Sequence, residues 1–106
     1  MAESTTTRLT ARMRQDFVDI RALVMHPMET GNRRDAKGQL VPLHFIQRVQ
    51  VTHNGRVVLD AQWSQAVARD PFVGIRVRGA KPGDTVALAW VDNRGARESV
   101  ETLVAA

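Results

Sequence analysis

A two-residue hydrophobic period recurs along most of this chain and limits what it can fold into. In FVDIRALVM, Val18, Ile20, Ala22 and Val24 point one way while Asp19 and Arg21 share the other face. HFIQRVQVTH sets Phe45, Val49 and Val51 against Arg48, Gln50 and Thr52, and in the next run Val57, Leu59, Ala61 and Trp63 oppose Arg56, Asp60 and Gln62. Val73, Ile75 and Val77 alternate with Arg76 and Arg78. Val86, Leu88 and Trp90 share one face of TVALAWVD, and Val100 and Val104 point inward from ARESVETLV. Half-buried strands need this alternation, whereas a helix would scatter the same residues around its axis.

Turn chemistry separates the runs. Asn54-Gly55 favours a type I′ hairpin, Lys81-Pro82-Gly83-Asp84 a type II turn, and Asn93-Arg94-Gly95 leads into the last strand. In SQAVARDP, Ser64 is placed to cap one or two helical turns before Pro71 pushes Asp70 out of helical geometry. Adding an early strand around Arg8–Arg14 gives about seven strands. The expected fold is therefore all-β, an immunoglobulin-like antiparallel β-sandwich, with an open barrel as its main competitor. A chain of 106 residues has room for one such domain, taken as residues 8–106 behind a flexible N-terminus of residues 1–7.

Composition removes several function classes. The absence of cysteine excludes disulfides, thiolate catalysis and cysteine zinc sites. No apolar run approaches the roughly 18 residues of a membrane span. The positive charge, +4 net, comes almost wholly from arginine, with only Lys37 and Lys81 beside it, which suits anionic partners, although arginines scattered on strand faces more often serve plain solvation. Arg12 and Arg14 share a strand face, as do Arg76 and Arg78, so a basic outer sheet face is expected, serving either to steer an anionic partner or to keep an edge strand from aggregating. Nucleic acid is not an expected partner: only Arg33-Arg34 is contiguous, tyrosine is absent, and both tryptophans fall on apolar faces.

One connection is too long for a tight hairpin loop. HPMETGNRRDAKGQLVPLHF, residues 26–45, separates two strand-like runs and holds His26 and His44, two of the three histidines. Pro27 favours an extended His26 and removes a ladder donor, and Gly31 is placed for positive φ. Asp35-Ala36-Lys37-Gly38 reads as a type I turn, and Pro42 delays regular pairing until His44. A small polar hairpin or elbow is expected, serving either a function or a plain crossover between sheets. Glu29 and His26 could approach as a base and its orienter, or simply brace the loop; no catalytic constellation emerges, and the chain is not expected to be an enzyme. Met25, His26 and Met28 offer soft ligands for cuprous ion, so a periplasmic copper-binding sandwich is the alternative reading. Against it, Met25 can be strand packing, Met28 can pin the loop, and His44 and His53 fall on separate strands; no metal or cofactor is assigned. Arg33 and Arg34 are placed to hold an acidic patch or an oxyanion.

HPMETG, followed by Arg33, Asp35, Gly38 and Pro42 before an apolar strand, resembles the signature of the SoxZ family of bacterial thiosulfate oxidation. The likeness runs from about Thr7 to Val104 and includes VDIRALV, HFIQ, the Asn54-Gly55 hairpin, the Ala66-Val67-Ala68 to Pro71-Phe72 corner, and TVALAWVD. The resemblance implies an immunoglobulin-like, non-catalytic subunit paired with SoxY as a heterodimer. The SoxY arm carries sulfur intermediates on a cysteine, and the pair presents them to other Sox enzymes. It further implies a motif loop that serves a partner or holds its shape, comprising His26, Pro27, Met28, Glu29, Thr30, Gly31, Arg33, Asp35, Gly38 and Pro42. It also implies a periplasmic location reached together with SoxY, which agrees with MAESTTTRLTARMRQDF having no apolar segment of a secretory signal.

Overall fold

A computed structural model of the protein describes residues 6–106. Seven strands form in chain order: β1 (Thr7–Arg14), β2 (Phe17–Val24), β3 (Ile46–His53), β4 (Arg56–Gln62), β5 (Phe72–Arg78), β6 (Thr85–Asp92) and β7 (Arg97–Leu103). They make two antiparallel sheets, ordered β1-β2-β5 and β4-β3-β6-β7. This is the expected immunoglobulin-like sandwich rather than the competing open barrel. The two sheets share one core, and Ala105, just past β7, ties onto the edge of β1 by accepting the Met13 N–H (2.9 Å) and donating to Ala11 C=O (2.9 Å).

The core is the set of inward-facing aliphatic residues that the period of two specifies. Val18, Ile20, Val24, Val49, Val51 and Val86 are fully buried, and Leu88 is 1 % exposed. Trp90 closes the core beside β1, where its indole N–H donates to the Thr7 hydroxyl at 3.1 Å.

Three local expectations are corrected. Phe45 was to face inward in step with Val49, but a register shift between Ile46 and Arg48 inserts Gln47 into β3. One extra residue reverses the alternation, so Ile46 is fully buried and Phe45 only partly so. A second shift, between Val51 and Thr52, leaves Val57 50 % exposed although it is apolar. The capped helix at Ser64 does not form: its hydroxyl accepts the Ala66 N–H and its carbonyl the Val67 N–H, and the chain turns once and moves on. Asp70 takes a φ of 52° before Pro71, in line with the bar on helical geometry there.

Thr6 and Thr7, assigned above to a loose tail, are tied down. Both hydroxyls donate to Glu98, and Thr7 begins β1 at 4 % exposure. Residues 1–5 of that tail lie outside the described residues.

These burials separate a core leucine, Leu88, from an apolar surface residue, Val57. Leu88→Ala is expected to cost about 2–5 kcal/mol, from lost burial and an unfilled cavity. Val57→Ala is expected to change stability by no more than about 0.5 kcal/mol. Urea denaturation of both variants checks this; comparable losses would mean that Val57 is packed.

Candidate functional site

The residues 26–45 connection carries the chain from the three-stranded sheet to the four-stranded one, so it is a crossover, and it is also folded. Its two legs pair with each other. Glu29 N–H donates to His44 C=O (2.6 Å) and His44 N–H to Glu29 C=O (3.0 Å); Val41 N–H then donates to Arg33 C=O (2.7 Å) and Asp35 N–H to Gln39 C=O (2.8 Å). The tip is the expected turn, with Gly38 N–H donating to Asp35 C=O at 3.0 Å and Gly38 at φ 78°. The Asp35 carboxylate accepts the Lys37 and Gln39 amides. The expected polar hairpin is thus present.

Its root follows from β2. The inward period continues past the last ladder residue, so that Val24, His26 and Met28 all point into the core at 0 %, 4 % and 5 % exposure. Pro27 faces outward between them. His26 N–H donates to the Asp70 carboxylate (3.0 Å) and its carbonyl accepts the Asp70 N–H (3.0 Å), replacing the ladder that β2 has left. Met28 adopts a φ of 47°, and its N–H donates to His26 Nδ1 at 3.0 Å. Its thioether lies 3.4 Å from the Ile46 N–H, beside the bulge in β3. Met28 does pin the loop.

The anchor point is a residue that the sequence reading passed over. Asp92 is the fourth inward residue of β6 after Val86, Leu88 and Trp90, and it is 2 % exposed. Its Oδ1 accepts the Arg94 and Ala96 amides, each at 2.9 Å. Its Oδ2 meets His26 Nε2 at 3.2 Å and His44 Nε2 at 2.7 Å. The two imidazoles cross edge to face at 4.5 Å, and His26 meets Trp90 at 5.5 Å. Asn93 completes the latch: its side chain accepts the Phe45 N–H (2.8 Å) and donates to Leu43 C=O (3.0 Å). One β6–β7 turn therefore holds both legs of the loop. An ionisable residue in core register was the available signal for Asp92, and the same signal was available for His26.

The other proposed site residues serve the hairpin itself. Arg33 grips the Glu29 carboxylate with Nε and Nη2, the closest contact being 2.7 Å. Arg34 Nη1 donates to Gly38 C=O at 2.8 Å. Both arginines, expected to reach for an external acid or oxyanion, are thus engaged inside the loop. Thr30 accepts the Asn32 amide, Gly31 supplies a φ of 84° close against Leu43, and Pro42 is exposed on the returning leg. Glu29 and His26 are not partners; each is committed elsewhere. His53, at the far end of β3, pairs with Asp84 at 2.8 Å.

Met25, His26 and Met28 do not converge as copper ligands. Met25 is outward and 51 % exposed, while the other two are inward and hydrogen-bonded. The donor atoms of His26, His44 and Asp92 do lie within 4.8 Å of one another, which is metal-like spacing. The hydrogen bonds argue for a proton network instead. His26 Nδ1 accepts the Met28 N–H, so in the neutral ring the proton sits on Nε2 and is donated to Asp92. A metal would need a lone pair at that nitrogen, and a proton on Nδ1 would then face the Met28 N–H.

Burial pushes the Asp92 carboxyl up, but its bonds from His44, His26 and the Ala96 and Arg94 amides outweigh it and hold the group below the usual range. Burial lowers His26, and the Asp92 bond only partly opposes it. The unfolded imidazole therefore takes a proton as pH falls through 6.5 while folded His26 still refuses one. Stability contributed by His26 is complete above that pH and is lost on acidification, and Asp92 adds a second loss below 3.8. Melting temperature is expected to fall between about pH 7.5 and about pH 5, with a shallower fall in His26→Gln. An unchanged slope in that variant would remove His26 as the cause. Asp92→Asn should cost about 3 kcal/mol at neutral pH, because its amide N–H would face two imidazole N–H groups. Chemical denaturation measures that cost.

No curated protein matches this sequence. A family model described as sulphur oxidation protein SoxZ matches residues 7–102, a stretch that begins with β1, contains the whole anchored hairpin and ends within β7. With the sandwich, the HPMETG root and that match in agreement, the chain belongs to the SoxZ family of sulfur-oxidation proteins.

Proposed function

We propose that the protein is a non-catalytic subunit of a thiosulfate-oxidising carrier complex. In this reading it works in the periplasm as a heterodimer with SoxY and helps present the partner's cysteine-bound sulfur to visiting Sox enzymes. Family membership supports a role in sulfur oxidation, and the finer assignment follows from what the anchored loop is suited to do.

The observation that carries it is the contrast between the root and the tip of the hairpin. At the root, His26, Met28 and Asp92 are buried and mutually bonded, while residues 32–40 are exposed throughout. Leu40 and Leu43 are 54 % and 40 % exposed on this rigid support. A loop fixed at its base and apolar along its returning leg suits recognition, because ordering costs are already met before a partner arrives. The members of the imidazole–carboxylate network are bonded to one another and to loop amides, and bracing the loop is the role these bonds support.

Co-expression with a SoxY-like chain, followed by size-exclusion chromatography with light scattering, tests this reading. A 1:1 complex that survives dilution is the expected result. Leu40→Asp is expected to weaken that complex, or thiosulfate-dependent respiration, while leaving the melting temperature within about 2 °C. Separate peaks for the two wild-type chains would leave the family fold without this role.

A further inference from the structure

The outer face of the β1-β2-β5 sheet is charged far beyond what solvation requires. Strand registers place its residues in rows: Arg14, Phe17 and Arg78; Arg12, Asp19 and Arg76; Thr10, Arg21 and Gly74; Arg8, Leu23 and Phe72. Six exposed arginines stand against one aspartate, and Asp19 is already bonded to Arg21 at 3.0 Å with Arg14 at 4.0 Å. This one face exceeds the net +4 of the whole chain. The outer face of the other sheet is balanced, with Arg48 and Arg97 against Asp60 and Glu101 and a bidentate Arg48–Asp60 pair.

Protection of a free sheet edge would account for Arg76 and Arg78, since among the described residues β5 pairs with β2 alone. It does not account for Arg21 on the central strand, nor for Arg12 beside the β1 flank that Ala105 already covers. The face also has an apolar end. Leu23, Met25 and Phe72 are 38 %, 51 % and 62 % exposed. The Phe72 ring lies over Gly74, where a Cβ would stand 3.0 Å from it, so a glycine in mid-strand gives an exposed ring a flat seat. At the opposite end Arg76 sits 5.0 Å above the Phe17 ring, which holds its guanidinium in place.

We propose that this face is the docking surface for an acidic protein partner, with carboxylates opposite the arginines and an apolar side chain against Phe72, Leu23 and Met25. Exposed aromatic and arginine residues together have the composition of protein-binding hot spots. A second copy of this chain is a poor occupant, because two such faces repel. Nucleic acid would want stacking rings along the basic track, whereas Phe72 is at one edge and Phe17 is half-buried under Arg76. The inference rests on the pairing proposed above and assigns it a surface on this chain.

The experiment uses the co-expressed pair with the SoxY-like chain. Affinity of the wild-type complex is expected to drop between about 50 mM and about 300 mM salt. Arg12→Glu/Arg76→Glu should weaken it about tenfold or more and flatten that salt dependence. Phe72→Ser should weaken it at both salts, and Arg56→Glu/Arg97→Glu on the other sheet should leave it unchanged. All five substituted sites are exposed, and unchanged melting curves are the folding control. A complex that ignores the Arg12 and Arg76 reversal overturns the docking surface and leaves the pairing intact. A wild-type chain that forms no complex ends the pairing and the inference with it. Tighter binding to single-stranded oligothymidine than to the protein, abolished by the same reversal, would overturn the proposal in favour of a nucleic-acid face.

Discussion

Everything about the anchored hairpin depends on one buried carboxylate. Asp92 has all its close partners in the two β-turn amides behind it and the two imidazoles in front of it. A charged group at that depth is tolerated only when fully hydrogen-bonded, so its partners cannot be given up singly. The requirement binds three separate stretches of chain: the extension of β2, the return leg before β3 and the β6–β7 turn. The hairpin is rigid for that reason, although few of its residues contribute to a core.

Local devices then carry that rigidity outward. Pro27 withholds a donor where no ladder partner exists, and Asp70 supplies the bonds that β2 would otherwise have found in a neighbouring strand. Arg33 and Arg34 cross-tie the hairpin, and the low carboxyl of Glu29 reflects the Arg33 bond. These surface ties are worth little singly in energy. Their effect is to reduce the number of shapes available to a loop whose base is already fixed.

Much of this was legible in the chain because strands advertise themselves by period and turns by residue type. Seven strands, the Asp35–Gly38 turn and the positive φ of Gly31 follow from local chemistry. The two register shifts along β3 do not, since a bulge is a non-local compromise between neighbouring strands and leaves no residue-type mark at Gln47 in β3 or at Val58, the extra residue in β4. The partners of His26 were likewise out of reach. Asp92 is 66 positions away, and only the sheet order brings it opposite. What could have been read is that both residues continue an inward alternation, where an ionisable side chain has to find a mate.

That alternation also ties the anchored loop to the basic sheet face. β2 and its extension turn Val18, Ile20, Ala22, Val24, His26 and Met28 inward, and on the other side present Phe17, Asp19, Arg21, Leu23 and Met25. The two sets cannot be altered independently: a one-residue slip would expose the histidine and bury the arginine. The sandwich core therefore enforces both features through a single register. Fixing Ile20 and Val24 in the core sets His26 against Asp92 and, by the same step, sets Arg21 and Leu23 at the surface beside Gly74 and Phe72. The apolar end of that face runs through Met25 directly into the root of the hairpin, so a partner seated on Phe72 and Leu23 would lie next to the one loop whose shape the fold spends a buried charge to hold.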